Sequence, residues 1–360
     1  MMFMKPKTKE GTMKKRMLAV SLMVVASVAF SGAVLSKVKT AKPQVVEQNI
    51  PVTRQFIESA PLANGTIATI TVIGDQSEEG RIQPIIGGVL ADISRIDTEI
   101  NGSPDGEMVK VNNLSKGQKL ILSDDMFALI SKARDLAALT EGWFDFTLSA
   151  KGYRRVALDS KQKTLTVRSS DIKIDISRIF PAYLVDMAMA KLVDQGLSNV
   201  KVEVGNVNRN IGRDIYTPWT VSVNIQNANS ANVYHAYIYS FSNKAVASFT
   251  PDAISTPLLD PKTNKPAADG YKNVTVFGND SMTASAFAAA LYTLGPKSAP
   301  TFIEQHPEVK SIFVDEEGKV SASKDFQIGR PNYEVEPPPV PGLNRGGNDL
   351  KQKQKEESRD

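Results

Sequence analysis

Between residues 65 and 75 the chain reads GTIATITVIGD, with β-branched residues at alternate positions, and this period predicts a strand. Directly after it, Ile86, Val89, Leu90, Ile93, Ile96 and Ile100 recur at helical spacing and predict a helix over 85–100. Residues 101–119, rich in Gly, Asn and Ser, read as a connection. Ser123 then caps a second helix, with Asp124 and Asp125 in its positively polarised first turn. Met126, Leu129, Ile130, Ala133, Leu136 and Ala137 form its apolar face. Short strands near 163–168 and 172–176 lead to a helix over 181–195 that ends at Gly196. Strands follow near 200–204, 218–225, 233–241 and 272–277, and then a helix containing TASAFAAALYTLG (283–295). A helix at 299–305 and a strand at 309–314 complete the pattern. Helices and strands mix without a regular β-α repeat, so the fold class is α+β.

The two ends of the chain read differently from its body. Lys14, Lys15 and Arg16 precede an apolar run from Met17 to Phe30, and Ser31-Gly32-Ala33 offers a cleavage site. Residues 1–36 are therefore a signal peptide or an N-terminal membrane anchor, since Met17 to Leu35 approaches the length a spanning helix needs. Residues 37–53 are a polar linker and 54–328 the folded domain. Residues 329–360, EPPPVPGLNRGG with a charged end, bury too little to order the chain and read as a solvated tail or a docking segment. The expected location is the periplasm of a bacterium, soluble after signal cleavage or attached to the inner membrane.

Composition narrows the chemistry. The 360 residues are 41% hydrophobic and 23% charged, with a formal net charge of +4. The excess lies near the N-terminus, so no nucleic-acid partner is expected. There is no cysteine, which excludes disulfides and thiolate chemistry, and the only histidines are His235 and His306, too few for a multi-histidine zinc site. Both histidines read as structural. The sequons at Asn101 and Asn273 mean little in a bacterial envelope protein.

Several segments, in order, resemble the ApbE-type family of FAD:protein FMN transferases. TEGWFDFT (140–147) is similar to the family's T-x-G-A-F-D-P-T. ANGTIATITV resembles its opening M-G-T strand, and GEMVKVN (106–112) its S-E-[IL]-S-x-[LF]-N. IDISRIFPAYLVD (174–186) lies where the family has I-D-L-G-G-I-A-K-G-Y-A-V-D. VGNVNRNIG (204–212) falls on G-G-D-I-R-x-x-G and LLDPKTNKP (258–266) on H-I-x-D-P-x-T-G-x-P. The alanine-rich helix falls on A-D-A-L-A-T-A-L-F-V-L-G. Together the segments cover roughly residues 60–320. The resemblance implies an exported enzyme that cleaves FAD and, with magnesium, attaches FMN to a threonine or serine of a target protein.

It also implies what is missing. The family's magnesium-holding Asp and Thr on that helix are Ser285 and Ala289 here, and the carbonyl ligand position is Phe180. The family lysine is Pro181, its following glycine Ala182, its histidine Pro257, and its G-G-D aspartate Val207, beside Asn206. The T-S-G segment appears as Ser248-Phe249-Thr250. Magnesium wants oxygen ligands, usually with one or two carboxylates, and neither serine nor alanine supplies one. A unit charge pair at 4 Å is worth about 4 kcal/mol at an effective dielectric of 20, and each 1.36 kcal/mol is about tenfold in rate. The leading expectation is a catalytically degenerate member that binds an envelope protein partner or a ligand. The alternative is an active transferase with a flavoprotein target, FAD and Mg2+ as cofactors, and a metal site rebuilt from Asp252, Asp260 or Asp280. A third is an assembly subunit that uses its tail.

Among the persisting residues, Tyr183, Gly205 and Asp260 are the candidates for cofactor contact, while Phe180, Ser285 and Ala289 mark a vestigial metal site. Trp143, Phe144 and Phe146 around Asp145 form either a flavin wall or core packing, with core packing preferred. Asp175 and Asp186 read as turn and capping residues, and Gly205 and Gly212 as backbone-driven. Phe180 is expected to fill the space that the lost metal ligands vacate.

Overall fold

A computed structural model describes residues 52–102, 104–226, 234–240, 242–250, 258–267, 270–324, 326 and 333–335, with backbone alone for 221–226, 234–240 and 333–335. The expected N-terminal signal or anchor, nearly all of the expected linker, Asp252, Pro257, the side chain of His235 and residues 336–360 lie outside this description. Among the described residues, no helix is long and apolar enough to cross a membrane.

The chain opens with a hairpin of β1 (Thr53–Pro61) and β2 (Ile67–Asp75), paired over their full length from Thr53↔Asp75 to Pro61↔Ile67. Then come α1 (Glu79–Asn101), the short α2 (Glu107–Asn112), β3 (Lys119–Ile121) and α3 (Asp124–Leu139). A 3-10 turn (Gly152–Arg155) leads into β4 (Val156–Asp159) and β5 (Thr164–Val167), followed by α4 (Phe180–Asp194). The second half holds β6 (Val200–Val204), β7 (Val207–Ile211), β8 (Thr220–Gln226), β9 (Tyr234–Ser240), β10 (Lys244–Phe249), β11 (Tyr271–Gly278), α5 (Ser281–Glu304), β12 (Lys310–Asp315), β13 (Val320–Ala322) and β14 (Tyr333–Val335).

Eight strands form one antiparallel sheet in the order β1-β2-β6-β7-β10-β11-β12-β13. Two small sheets, β3-β5-β4 and β14-β9-β8, complete the architecture. Helices α1, α4 and α5 pack on one face of the large sheet. Directly opposed strand residues share a face, so Ala68 with Val204, Ile70 with Val202 and Val72 with Val200 present one apolar row to these helices. The six isoleucine-rich positions predicted for α1 are all buried, as are the six of α3. Ser123 caps α3 by accepting the Met126 N–H at 3.2 Å.

The observed elements depart from the sequence pattern in places that have physical causes. The first helix starts at Glu79 and runs through Pro84, although a proline reads as a helix start. The connection over 101–119 contains α2. Residues 172–176 are not a strand: only Ile174 bridges, to Thr147. The Asn112 side chain takes the neighbouring strand's place, accepting the Ile174 N–H at 2.7 Å and donating to its carbonyl at 2.9 Å. Ile172, Ile174 and Ile176 are nevertheless buried together, which is what the alternation recorded. β7 and β10, which the sequence pattern does not mark, sit side by side in the sheet. α5 breaks at Gly295, whose φ of 68° lies in the left-handed region, so the expected second helix continues directly from the first.

Candidate functional site

The alanine-rich first half of α5 lies against β10 and β11, and its small side chains let it approach the sheet closely: Ala284, Ala286, Ala289 and Ala290 are fully buried. Only Ser285 and Ala288 turn toward a cavity of about 130 Å³. The N-terminus of α4 supplies Pro181 to its wall, the segment before α4 supplies Ser177 and Arg178, and the β6–β7 turn and β10 supply Asn206 and Ser248. A second cavity, of about 200 Å³, is bordered by Trp143, Asp145, Thr147 and Leu258. Arg178 borders both.

Arg178 is the group that sequence reasoning passed over. Its side chain is 5% exposed and pairs with Asp175 at 3.3 Å. Burial pulls the guanidinium pKa below its ordinary value, and the Asp175 charge opposes that shift. The signal was present in the sequence: Ser177-Arg178 stands where the resembled motif has two glycines.

Asp145 is the acid of the larger cavity. Burial pushes its carboxyl up to about 6, against the Thr147 hydroxyl and backbone N–H, which it accepts at 2.9 and 3.0 Å, and the Tyr153 N–H at 3.3 Å. The three aromatic neighbours divide: Phe144 and Phe146 are core, 1% and 0% exposed. Trp143 is half-buried and lines the cavity, with the Lys262 ammonium 5.3 Å from its ring centre.

The other sequence candidates are spread around this cleft. Tyr183 borders neither cavity, and its hydroxyl donates to Asp125 of α3 at 2.6 Å. Burial and that carboxylate together hold the phenol above its ordinary pKa. Gly205 makes the β6–β7 turn at φ 58°, and Gly212 sits where an added Cβ would lie 2.2 Å from the Ser198 carbonyl. Asp260 folds its own turn by accepting the Lys262 N–H at 2.7 Å. Asp280 caps α5 through the Thr283 N–H and hydroxyl, both at 2.8 Å. Asp175 closes a turn on the Ser177 N–H. Phe180 is buried in the main core and borders neither cavity, so it does not fill the space beside Ser285. His306 packs between Phe287 and Phe302, each ring centre 4.8 Å away.

Comparison with known proteins gives this arrangement its relatives. The model of the ApbE family matches residues 147–313. The FAD:protein FMN transferase of Vibrio cholerae is 23% identical over 279 residues, spanning 66% of this chain and 83% of the relative. That of Haemophilus influenzae is 23% identical over 278 residues, spanning 66% and 78%. Over residues 147–313 the chain is similar to the ApbE family. Its fold agrees: the apo crystal structure of the Pseudomonas stutzeri flavinyl transferase ApbE superposes with a TM-score of 0.66 at 20% identity, over 76% of this chain and 95% of that one. The ApbE protein of Thermotoga maritima gives 0.63 at 23% identity, over 75% and 97%.

The described residues around Ser285 do not fit a magnesium ion. Among the described residues, no carboxylate borders the cavity beside Ser285. The acids nearest the start of α5 are engaged: Asp280 as its cap, and Asp186 in accepting the Ser281 and Met282 N–H groups and Arg209. Among the described residues, no group of three or more His, Asp or Glu is placed to hold a metal. Magnesium needs several such oxygen donors in near-octahedral order.

Proposed function

We propose that this ApbE-like chain is an exported binding protein that does not carry out flavin transfer. One observation carries the reading: the acids at the head of α5, Asp186 and Asp280, are bound to backbone N–H groups, while the helix offers its cavity only Ser285 and Ala288. Phosphoryl transfer depends on positioning and charge neutralisation by metal and cations. The cation of this cleft, Arg178, is paired with Asp175. The cleft is divided into spaces of about 200 and 130 Å³ with Arg178 at both, dimensions that suit a small ligand better than a dinucleotide. The basic start and apolar run of residues 14–35 support work in the periplasm, at or near the inner membrane, on an envelope protein or a flavoprotein partner.

The test is incubation of the full chain with FAD, magnesium and a threonine-containing target peptide, followed by mass measurement, with calorimetric titration of FAD alongside. The expected result is an unmodified peptide and FAD affinity indifferent to magnesium. A peptide heavier by one FMN would establish the active-transferase reading instead.

A further inference from the structure

Away from both cavities, a third cleft of about 360 Å³ opens between α3 and the small sheet β3-β5-β4. Its wall contains three consecutive strand residues, Val156, Ala157 and Leu158 of β4. Consecutive strand side chains point to opposite faces, so a cleft bordered by all three runs along the strand's edge and not over one face. β4 is the outermost strand of its sheet, paired with β5 on one side only. The cleft therefore follows a strand edge that lacks a neighbour among the described residues.

Three guanidiniums converge on this edge from three different elements: Arg134 from α3, Arg154 from the 3-10 turn and Arg168 from the end of β5. Their local partners are few. Among the described residues, Arg134 pairs only with its neighbour Asp135 at 3.8 Å, and that carboxylate is 71% exposed. Arg154 donates to the Tyr153 hydroxyl, a neutral group, at 3.1 Å. Arg168 has no side-chain partner among the described residues. Three like charges around one cleft, opposed by Asp135 alone among the described residues that line it, favour an anionic occupant. The strand edge and the apolar wall favour an occupant with a backbone and side chains over a bare inorganic anion.

We infer that β4 is a docking edge for an extended acidic peptide segment of a partner protein, added as a fourth strand with its carboxylates on Arg134, Arg154 and Arg168. Main-chain hydrogen bonds to β4 supply affinity, and the arginines select for Glu or Asp. The inference is independent of whether the cleft beside α5 binds or transfers flavin.

The test is fluorescence anisotropy of the full chain with two labelled octapeptides, one alternating Glu with Val and one alternating Lys with Val. The Glu peptide should bind saturably and the Lys peptide should not. Exposed arginine–carboxylate pairs are individually weak, so the combined variant R134Q/R154Q/R168Q should weaken binding about tenfold. A Glu peptide methylated at alternate backbone nitrogens, which tests strand pairing without altering the protein, should lose binding. Equal binding of the two peptides, no effect of the triple variant, or indifference to backbone methylation would each overturn the inference. So would full displacement of the Glu peptide by millimolar inorganic phosphate, which would make the cleft a simple anion site.

Discussion

Asp186 on α4 accepts the backbone N–H of Ser281 at 2.9 Å and that of Met282 at 3.0 Å, so a carboxylate from one helix caps the start of another. The same group takes Arg209 of β7 at 2.7 Å, which ties α4, α5 and the large sheet at one point. Asp186→Ala should therefore cost about 2–3 kcal/mol, combining a lost cap with a half-buried arginine left unpaired. Asp186→Asn, which keeps one acceptor, should cost less. Urea denaturation of both variants checks this, and an unchanged midpoint for the alanine variant would remove Asp186 as a structural tie.

Asp145 makes stability depend on pH in a defined window. In the unfolded chain its carboxyl titrates near 3.8, and in the folded protein burial raises it to about 6. Between these values the folded form binds more protons than the unfolded one, so this group's contribution falls as pH rises from about 4 to about 6. Asp145→Asn has no such titration. Its stability relative to the parent should improve on going from pH 4 to pH 7, by up to roughly 2 kcal/mol. Parallel denaturation curves at both pH values measure the difference, and a constant offset would contradict the raised pKa.

Trp143 and Phe146 should separate in stability although they are three residues apart. Phe146 is fully buried, and Phe146→Ala should cost about 3–5 kcal/mol. Trp143 keeps one side on the cavity, so Trp143→Ala should cost only about 1–2 kcal/mol. Thermal melts of the two variants decide. Equal losses would place the indole in the core after all.

Placing metal-ligand side chains at Ser285 and Ala289, the positions that the family resemblance implies, should fail for a steric reason as well as an electrostatic one. Ser285 faces open space, so Ser285→Asp should be accommodated. Ala289 is 0% exposed and borders neither cavity of the cleft, so Ala289→Thr overfills the packing and should cost about 1–3 kcal/mol. Neither variant should bind magnesium in calorimetry at millimolar concentration, because a single added carboxylate does not complete the donor set. Saturable heat from Ser285→Asp alone would show that other oxygens complete it.

What the sequence disclosed follows from how each element earns its place. α1 and α3 were legible because large apolar side chains recur on one face, and each of those positions is buried. β7 was not legible: its run VNRNI carries polar groups toward both faces, Arg209 to reach Asp186 and Asn210 buried at 0% exposure. A period-two signal cannot appear in such a strand. Several of the motif segments that carry the family resemblance border the cleft, and Ser285 faces it. Arg178 escaped because a buried cation needs a partner, and its partner Asp175 is only three residues away, a spacing that reads as a surface turn. Trp143 escaped because its neighbours Phe144 and Phe146 do enter the core. Which of three adjacent aromatic residues turns outward is set by the backbone, not by composition.

The order of the large sheet has a consequence for the chain while it is being made. Ile70 of β2 pairs with Val202 of β6, and residues 76–199 must be synthesised between them. At about 5–20 residues per second this interval lasts on the order of ten seconds, and long-range closure of this kind slows folding further. Throughout it, the inner edge of the first hairpin exposes TIATITVI, a segment rich in β-branched residues and without charge. A nascent chain held at this stage offers an adhesive strand with no partner of its own. Slower elongation between residues 76 and 199 should lengthen the time in which a holding chaperone is required, whereas slower elongation after β6 should not.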